Sequence, residues 1–126
     1  MIKVIKIDSY EETKKAFLDK EIPFGAFHFC SAAFDGDNVI GECFYEYKND
    51  SVVIKDIFPK NDLMLVDGIL RSVFFVASNN GIEKSFFEKD ELSPIFKKLG
   101  FLINEEEKSL KLKKIFETCE GCKGNC

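Results

Sequence analysis

A long apolar segment near the middle of the chain has the spacing of an α-helix and lies between two stretches typical of β-strands. In residues 65–80 the apolar side chains recur every three or four positions, as on the buried face of a helix. Residues 51–58 are rich in β-branched side chains, and residues 82–87 again favour a strand. A helix that connects two neighbouring strands of one sheet makes those strands parallel. The sequence therefore predicts a parallel β-α-β crossover at its centre.

Further strand patterns flank this crossover and predict one mixed sheet. The predicted order is β-α-β-β-β-α-β-α-β-β, an α/β (α+β) fold with helices on both faces of the sheet. An acidic, glycine-containing turn at residues 35–38 joins the second and third strands as a hairpin. The other predicted strands are residues 3–7, 24–34, 39–47, 101–104 and 109–116, and the other predicted helices are residues 8–21 and 91–99.

Length and charge narrow the classes of function. The 126 residues suffice for one domain with a buried core, and the formal net charge of −4 argues against non-specific binding of nucleic acids or of an anionic membrane. The first seven residues alternate apolar and charged side chains, unlike a signal peptide, and no segment approaches the roughly 20 apolar residues of a membrane span. We therefore expect a cytoplasmic protein that binds neither nucleic acid nor a membrane. The oligomeric state stays open, with a homodimer as one alternative.

Three of the five cysteines, Cys119, Cys122 and Cys126, stand in the last eight residues. Cys-x-x-Cys is the spacing at which two thiolates bind one zinc or iron ion. Residues 1–116 are accordingly predicted to form the folded domain and residues 117–126 a cysteine-rich tail. The tail binds Zn or Fe, carries out thiol chemistry, or is inert, and the spacing alone leaves these alternatives open.

Two further cysteines and the single histidine lie on the predicted hairpin. A symmetric turn would place Cys30 opposite Cys43. The same register would place His28 opposite Tyr45, so that all four side chains share one face. They could then form a thiol site or complete a metal site with the tail, or they are two buried thiols and a core histidine.

Four short segments between Cys30 and Phe101 carry a family pattern. They are the hairpin turn with its following Val-Ile-Gly at residues 34–41, the Ile-Phe-Pro of residues 57–59, the helix end at residues 77–82, and the Phe-Lys-Lys-Leu-Gly-Phe of residues 96–101. In this order they resemble the GNAT superfamily of N-acetyltransferases, and the last is similar to that family's Tyr-x-x-Leu-Gly-Phe. The resemblance implies a GNAT-like fold that binds acetyl-CoA or another acyl-CoA and transfers the acyl group to a small acceptor.

The resemblance also assigns candidate site residues. In the family, acetyl-CoA lies between two splayed parallel strands, and its pyrophosphate rests on the N-terminus of the following helix. The cofactor contacts carried over to this chain are Ile57, Phe58, Val66, Asp67, Gly68 and Arg71. Asp56 is a candidate general base or a solvated carboxylate near a strand end. Arg71 either holds an anion or pairs with Asp67 at i,i+4 spacing.

The chain departs from the family pattern at three points. The loop at residues 61–71 has one glycine, and Asp62 and Asp67 put negative charge where the family binds pyrophosphate. Phe96 occupies the usual position of a proton-donating tyrosine, and residues 8–23 have room for one helix where the family usually has two. These departures favour an alternative function, a non-catalytic GNAT-like scaffold whose tail binds zinc or iron or does thiol chemistry.

Overall fold

One mixed β-sheet organises the part of the chain that the structure, a computed structural model, describes, namely residues 1–101 and 103–111. Its strands are β1 Ile2–Lys6, β2 His28–Asp35, β3 Asn38–Lys48, β4 Ser51–Phe58, β5 Lys84–Phe87, β6 Ile103–Asn104 and β7 Ser109–Lys111. The helices are α1 Tyr10–Asp19, α2 Leu63–Asn79 and α3 Ser93–Lys98, and a 3-10 turn, Asp90–Leu92, precedes α3.

The strands lie in the order β1-β2-β3-β4-β5-β7-β6. Strands β4 and β5 are parallel and joined through α2, and every other pair of neighbours is antiparallel. The predicted order of elements and the predicted crossover are therefore confirmed. Of the predicted last strand, residues 112–116 lie outside the described residues.

A single helix, α1, connects β1 and β2, as the length of that segment predicts. The helix begins where the Ser9 hydroxyl accepts a hydrogen bond from the Glu12 N–H at 3.2 Å. Strand β2 begins later than predicted, at His28, because the Phe24 ring turns back to pack on Phe17 at 5.1 Å between centroids. The segment before β2 is thus part of the packing of α1.

Helices cover both faces of the sheet, as predicted. On one face the α1 residue Phe17 packs with Cys30 and Phe44 in a small cluster. On the other face α2 packs over Cys43 and Tyr45 in the main core. Neighbouring residues of β3 thus alternate between the two layers, as strand geometry requires.

A β-bulge at the hairpin makes the predicted register wrong by one residue. Phe34 pairs with Val39, but Ala33 pairs with Gly41, so that Ile40 is the extra residue. Cys30 therefore lies opposite Phe44 instead of Cys43.

The shift separates side chains that a symmetric turn would bring together. Cys30 joins the cluster under α1, whereas Cys43 joins the core under α2. His28 pairs with Glu46 instead of Tyr45. A one-residue slip moves a side chain to the other face of a sheet, so no shared thiol face forms.

A second bulge bends β4. Tyr45 pairs with Ile54 while Phe44 pairs with Asp56, which leaves Lys55 as the extra residue. Bulges increase the local twist and redirect a strand. Beyond this point β4 diverges from β5, and this divergence positions the candidate site.

Candidate functional site

The parallel strands β4 and β5 separate halfway along β4. Their pairing runs from Ser51 with Lys84 to Ile54 with Phe87, and one more backbone bond joins the Glu88 N–H to the Ile54 carbonyl at 3.1 Å. Strand β4 continues to Phe58, and among the described residues no strand pairs with its last part on that side. Two parallel strands that splay in this way leave an opening between them, inside the sheet, at the end of β4. The predicted contact residues Ile57 and Phe58 lie at this opening.

Asp56, the predicted candidate base, is buried at the same opening, with 1% of its surface exposed. Its carboxylate accepts hydrogen bonds from Lys89 and from the Ile57 N–H, and it pairs with Lys60 at 2.8 Å. Burial by itself would raise the pKa of Asp56, but the bonds from the two lysines and the backbone outweigh it and lower that pKa. A carboxylate held ionised by two ammonium groups is a weak proton acceptor.

The N-terminus of α2 is capped by an acidic side chain. Asp62 is the cap residue, and its carboxylate accepts a hydrogen bond from the Leu65 N–H at 3.2 Å. Free N–H groups at a helix N-terminus attract anions. Here a carboxylate of the chain already takes one of them.

The other predicted contact residues lie on the first turns of α2 and divide into three groups. Val66 is fully buried in the core. Gly68 is exposed, and a Cβ added there would meet no atom within 4 Å. Arg71 Nε donates a hydrogen bond to Asp67 Oδ1 at 2.9 Å, so the predicted intrahelical ion pair is present.

Phe96, which the sequence resemblance places where the family has a proton-donating tyrosine, is a core residue with no exposed surface. Its ring packs on Phe87 at 5.0 Å and on Phe101 at 5.8 Å between centroids. The position therefore contributes packing and has no hydroxyl to donate.

A cavity of about 370 Å³ lies beside the end of β4. Its apolar lining residues are Val39, Ile40, Phe58 and Pro59, its charged lining residues are Lys20 and Glu42, and Gly41 completes the wall. The volume lies at the small end of the range of ligand sites. Phe58 belongs to both the cavity and the opening between the strands, so the two features adjoin.

Glu42 is the carboxylate of this cavity. It is partly buried on β3 opposite Phe58, and its side chain makes no hydrogen bond or ion pair with another described residue. Burial raises the pKa of Glu42, Lys20 opposes this and Asp19 adds to it. A carboxylate of raised pKa in a cavity has the properties of a general base. Glu42 is not among the predicted site residues, although an acid inside the apolar run of residues 39–45 is the available signal.

Two lysines lie over the ring of Phe58. Lys20 Nζ is 4.6 Å and Lys60 Nζ is 4.0 Å from the ring centroid. Lys60 is also bound to Asp56 and to the Ile57 carbonyl, the latter at 3.1 Å. The cavity therefore has a positive side at Phe58 and a carboxylate on the facing strand.

The alternative in which His28 and the buried thiols serve as metal ligands finds no support in the described part of the chain. His28 Nδ1 lies 3.0 Å from the Ala26 carbonyl oxygen, and Nε2 lies 3.9 Å from a Glu46 oxygen. No group of three or more His, Cys, Asp or Glu residues that could hold a metal ion occurs within residues 1–101 and 103–111. The tail cysteines Cys119, Cys122 and Cys126 lie outside the described residues.

None of the helices that the structure describes combines the length and the apolar character needed to cross a membrane.

Comparison with known proteins places the fold. No protein-family model and no curated protein matches the sequence. Among solved structures, the chain is similar to the ribosomal-protein-S18-alanine N-acetyltransferase of Escherichia coli, at 10% identity and a TM-score of 0.59, over 82% of this chain and 79% of that one. It is also similar to a GNAT-family acetyltransferase of Staphylococcus aureus, at 13% identity and a TM-score of 0.57, over 81% and 85%.

A third similar structure is an acetyltransferase of Bacillus subtilis in complex with CoA, at 15% identity and a TM-score of 0.57, over 82% of this chain and 78% of that one. The similarity extends over most of the chain in each comparison, although the sequences have diverged widely. The chain therefore has the fold of the GNAT N-acetyltransferases.

Proposed function

We propose that this protein binds an acyl-CoA at the opening between β4 and β5 and transfers the acyl group to a small amine in the adjoining cavity. The observation that carries the proposal is the partly buried Glu42 carboxylate, which lines a cavity beside the part of β4 that no longer pairs with β5. The fold supports it, because one of the similar structures is an acetyltransferase with bound CoA.

Glu42 supplies the base in this proposal. An amine attacks a thioester only after it loses a proton, and a carboxylate of raised pKa accepts that proton more readily than an ordinary one. Burial is the largest cause of the raised pKa of Glu42. Asp56 is a poorer candidate because its carboxylate is bound by Lys60 and Lys89.

The fully buried Phe96 does not prevent the reaction. Acyl transfer from a thioester releases a thiolate, and a thiol with a pKa near that of cysteine, about 8.5, leaves readily without a dedicated acid. The proposal therefore assigns no proton donor to the leaving group.

The acidic N-terminus of α2 defines how tightly the donor binds. The Asp62 carboxylate occupies a helix N–H that a phosphate would use, whereas the charge of Asp67 is already paired with Arg71. The charge of Asp62 therefore opposes the pyrophosphate of CoA. We expect acetyl-pantetheine, which lacks the nucleotide phosphates, to bind this chain at least as well as acetyl-CoA.

The test is calorimetry with acetyl-CoA, CoA and acetyl-pantetheine, followed by an assay of thiol release with a panel of small primary amines. We expect binding in the micromolar to millimolar range, and Glu42→Gln should lower the transfer rate about 10²–10⁴-fold while donor binding is unchanged. Glu83→Gln, at an exposed position outside the cavity, is the matched control. Absence of binding of all three compounds at millimolar concentration would refute the proposal.

A second candidate function is a non-catalytic scaffold whose tail binds a metal ion or exchanges thiols. It is favoured by the Asp62 cap and by the lysine-bound Asp56, because both acids take up backbone N–H groups near the predicted donor site. We propose Cys119, Cys122 and Cys126 as its ligands for zinc or iron, on the Cys-x-x-Cys spacing.

Elemental analysis of anaerobically purified protein tests this second function. The expected result is about one metal ion per chain, lost when the three tail cysteines are replaced by serine. Metal content that does not depend on these cysteines would exclude the tail as the site.

A further inference from the structure

We infer that the cavity at Glu42 takes an acceptor that carries both a primary amine and a carboxylate on a small apolar body, with Glu42 facing the amine and Lys20 facing the carboxylate. The inference rests on the proposed function, because it treats this cavity as the acceptor side of the site. It goes beyond that function by naming the chemical class of the acceptor.

Lys20 is the cation available to a ligand carboxylate. It is exposed, it lines the cavity, and no carboxylate of the described residues lies within 4.0 Å of its Nζ. Its contact is the face of the Phe58 ring, at 4.6 Å from the centroid. Lys60, the other ammonium over this ring, already has Asp56 as its partner at 2.8 Å. An ammonium without a protein anion at the rim of a cavity favours an anionic ligand group.

Glu42 is the complementary anion. Its carboxylate is partly buried and has no protein cation within ion-pair distance among the described residues. Burial of an unpaired carboxylate is unfavourable, and a ligand ammonium would offset this cost. Lys20 nevertheless acts on Glu42, since it lowers the pKa that burial raises.

Together the two charges select for a ligand of no net charge. Lys20 and Glu42 line one cavity but are more than 4.0 Å apart, so a ligand can place a group at each. A simple amine would meet the repulsion of Lys20, and a simple acid would meet the repulsion of Glu42. A molecule with both groups avoids both penalties.

The apolar lining and the volume set the size of the body. Val39, Ile40 and Pro59 offer apolar surface in the same cavity as the charged groups. A volume of about 370 Å³ fits a single amino acid with an aliphatic side chain better than a peptide segment. A peptide N-terminus also lacks a carboxylate next to its amine, so a free amino acid is the occupant that both charges fit.

Calorimetry on the full chain with three matched probes tests the inference. Leucine carries both groups, isoamylamine lacks the carboxylate and isocaproate lacks the amine. We expect leucine to bind at least about tenfold more tightly than either of the others. Lys20→Met should reduce the affinity for leucine to that for isoamylamine and should not weaken the binding of isoamylamine. Glu42→Gln should reduce the affinity for leucine to that for isocaproate. Lys15→Met, on α1 just before Lys20 but outside the cavity, is the control.

Isoamylamine that binds as tightly as leucine, or no binding of leucine at millimolar concentration, overturns the inference. A leucine-terminated peptide that competes equally with leucine overturns it as well. Acetyl-CoA is titrated separately, so that the two failures can be told apart. If the donor binds and plain amines are acetylated but leucine is not preferred, only the inference is wrong. If leucine binds more tightly than isoamylamine and isocaproate but no donor binds, only the proposed function is wrong.

Discussion

Lys89, in the segment after β5, donates a hydrogen bond to the buried Asp56 carboxylate of β4, so that one ion pair spans the point where the two parallel strands separate. The bond to Asp56 is also the largest cause of the raised pKa of Lys89. A ligand that lies between the strands has to displace this lysine or pass beside it. The same pair therefore links the two strands where their backbone pairing ends and restricts access to the opening.

Replacing Asp56 by Asn tests the stabilising role. The variant removes the anion that Lys60 and Lys89 share and leaves Lys60 only Glu91, at 3.7 Å, so we expect the free energy of unfolding to fall by about 2 kcal/mol near neutral pH. Because the pKa of Asp56 is lowered in the folded state, its contribution is complete above the unfolded pKa of about 3.9 and is lost as the pH falls through the lower folded value. The difference between the two proteins should therefore shrink below about pH 4.

Urea unfolding followed by far-UV circular dichroism suits this measurement, since the chain has no tryptophan. Asp50→Asn, in the exposed turn between β3 and β4, is the control and should change stability little at any pH. A difference for Asp56→Asn that is the same in acid and at neutral pH would mean that packing, and not charge, explains the loss.

Glu42→Gln should have the opposite effect on stability. Burial raises the pKa of Glu42 in the folded state, so ionising it costs folding free energy as the pH rises from the unfolded pKa through the folded one. The variant should therefore be more stable than the natural chain near neutral pH and equal to it in acid. Thermal unfolding at several pH values measures this, and a destabilised variant at neutral pH would contradict the unpaired, functional placement of Glu42.

The architecture was predictable because it depends on patterns that the chain displays locally. The apolar face of residues 65–80 and the β-branched run before it specify the crossover between β4 and β5. The Ser9 cap and the acidic turn at residues 35–38 mark a helix start and a hairpin in the same way. In each case neighbouring residues contain the required information.

The register and the site were not predictable, because each depends on a contact between distant residues. The bulge at Ile40 moves Cys30 opposite Phe44, and nothing in the local sequence marks the extra residue. In the sequence, Glu42 is an ordinary residue of an alternating strand. Only the fold brings Phe58 and Lys20 next to it as the other walls of a cavity. Asp56 is likewise predicted as a candidate base, because the lysine that binds its carboxylate, Lys89, lies 33 residues away in the sequence.

Gly41 and Gly68 form a matched pair that tests how closely α2 lies against the sheet. A Cβ at Gly41 would lie 2.8 Å from Ile69 Cδ1 and 3.0 Å from the Phe58 carbonyl oxygen, whereas one at Gly68 meets no atom within 4 Å. Gly41→Ala should destabilise the fold by about 1–3 kcal/mol through overpacking. Gly68→Ala, in the interior of α2, should stabilise the fold by about 0.5–1 kcal/mol.

Chemical denaturation of both variants is the measurement. Equal effects of the two substitutions would contradict the close approach of α2 to β3 at Gly41.

Cys30 and Cys43 should be unreactive in the folded protein. Burial is the main cause that raises the pKa of Cys30, to about 12, and that raises the pKa of the fully buried Cys43. A variant with all three tail cysteines replaced by serine should therefore show no thiol reactive with a small disulfide reagent until urea is added. Rapid labelling of that variant without denaturant would show that one of these thiols is accessible, and Cys30→Ser and Cys43→Ser would identify it.

Asp62→Ser tests whether the helix cap limits donor binding. Serine is also a preferred N-cap residue, so the hydrogen bond to the Leu65 N–H should persist while the negative charge is removed. Because the N-terminus of α2 then presents no carboxylate to a phosphate, we expect CoA to bind about tenfold more tightly. Acetyl-pantetheine has no nucleotide phosphates, and its affinity should stay the same. Calorimetry with both compounds separates a charge effect from a general change of the opening, and Asp50→Asn controls for net charge.

A gain in affinity that is equal for CoA and acetyl-pantetheine would show that the pyrophosphate does not lie at this helix.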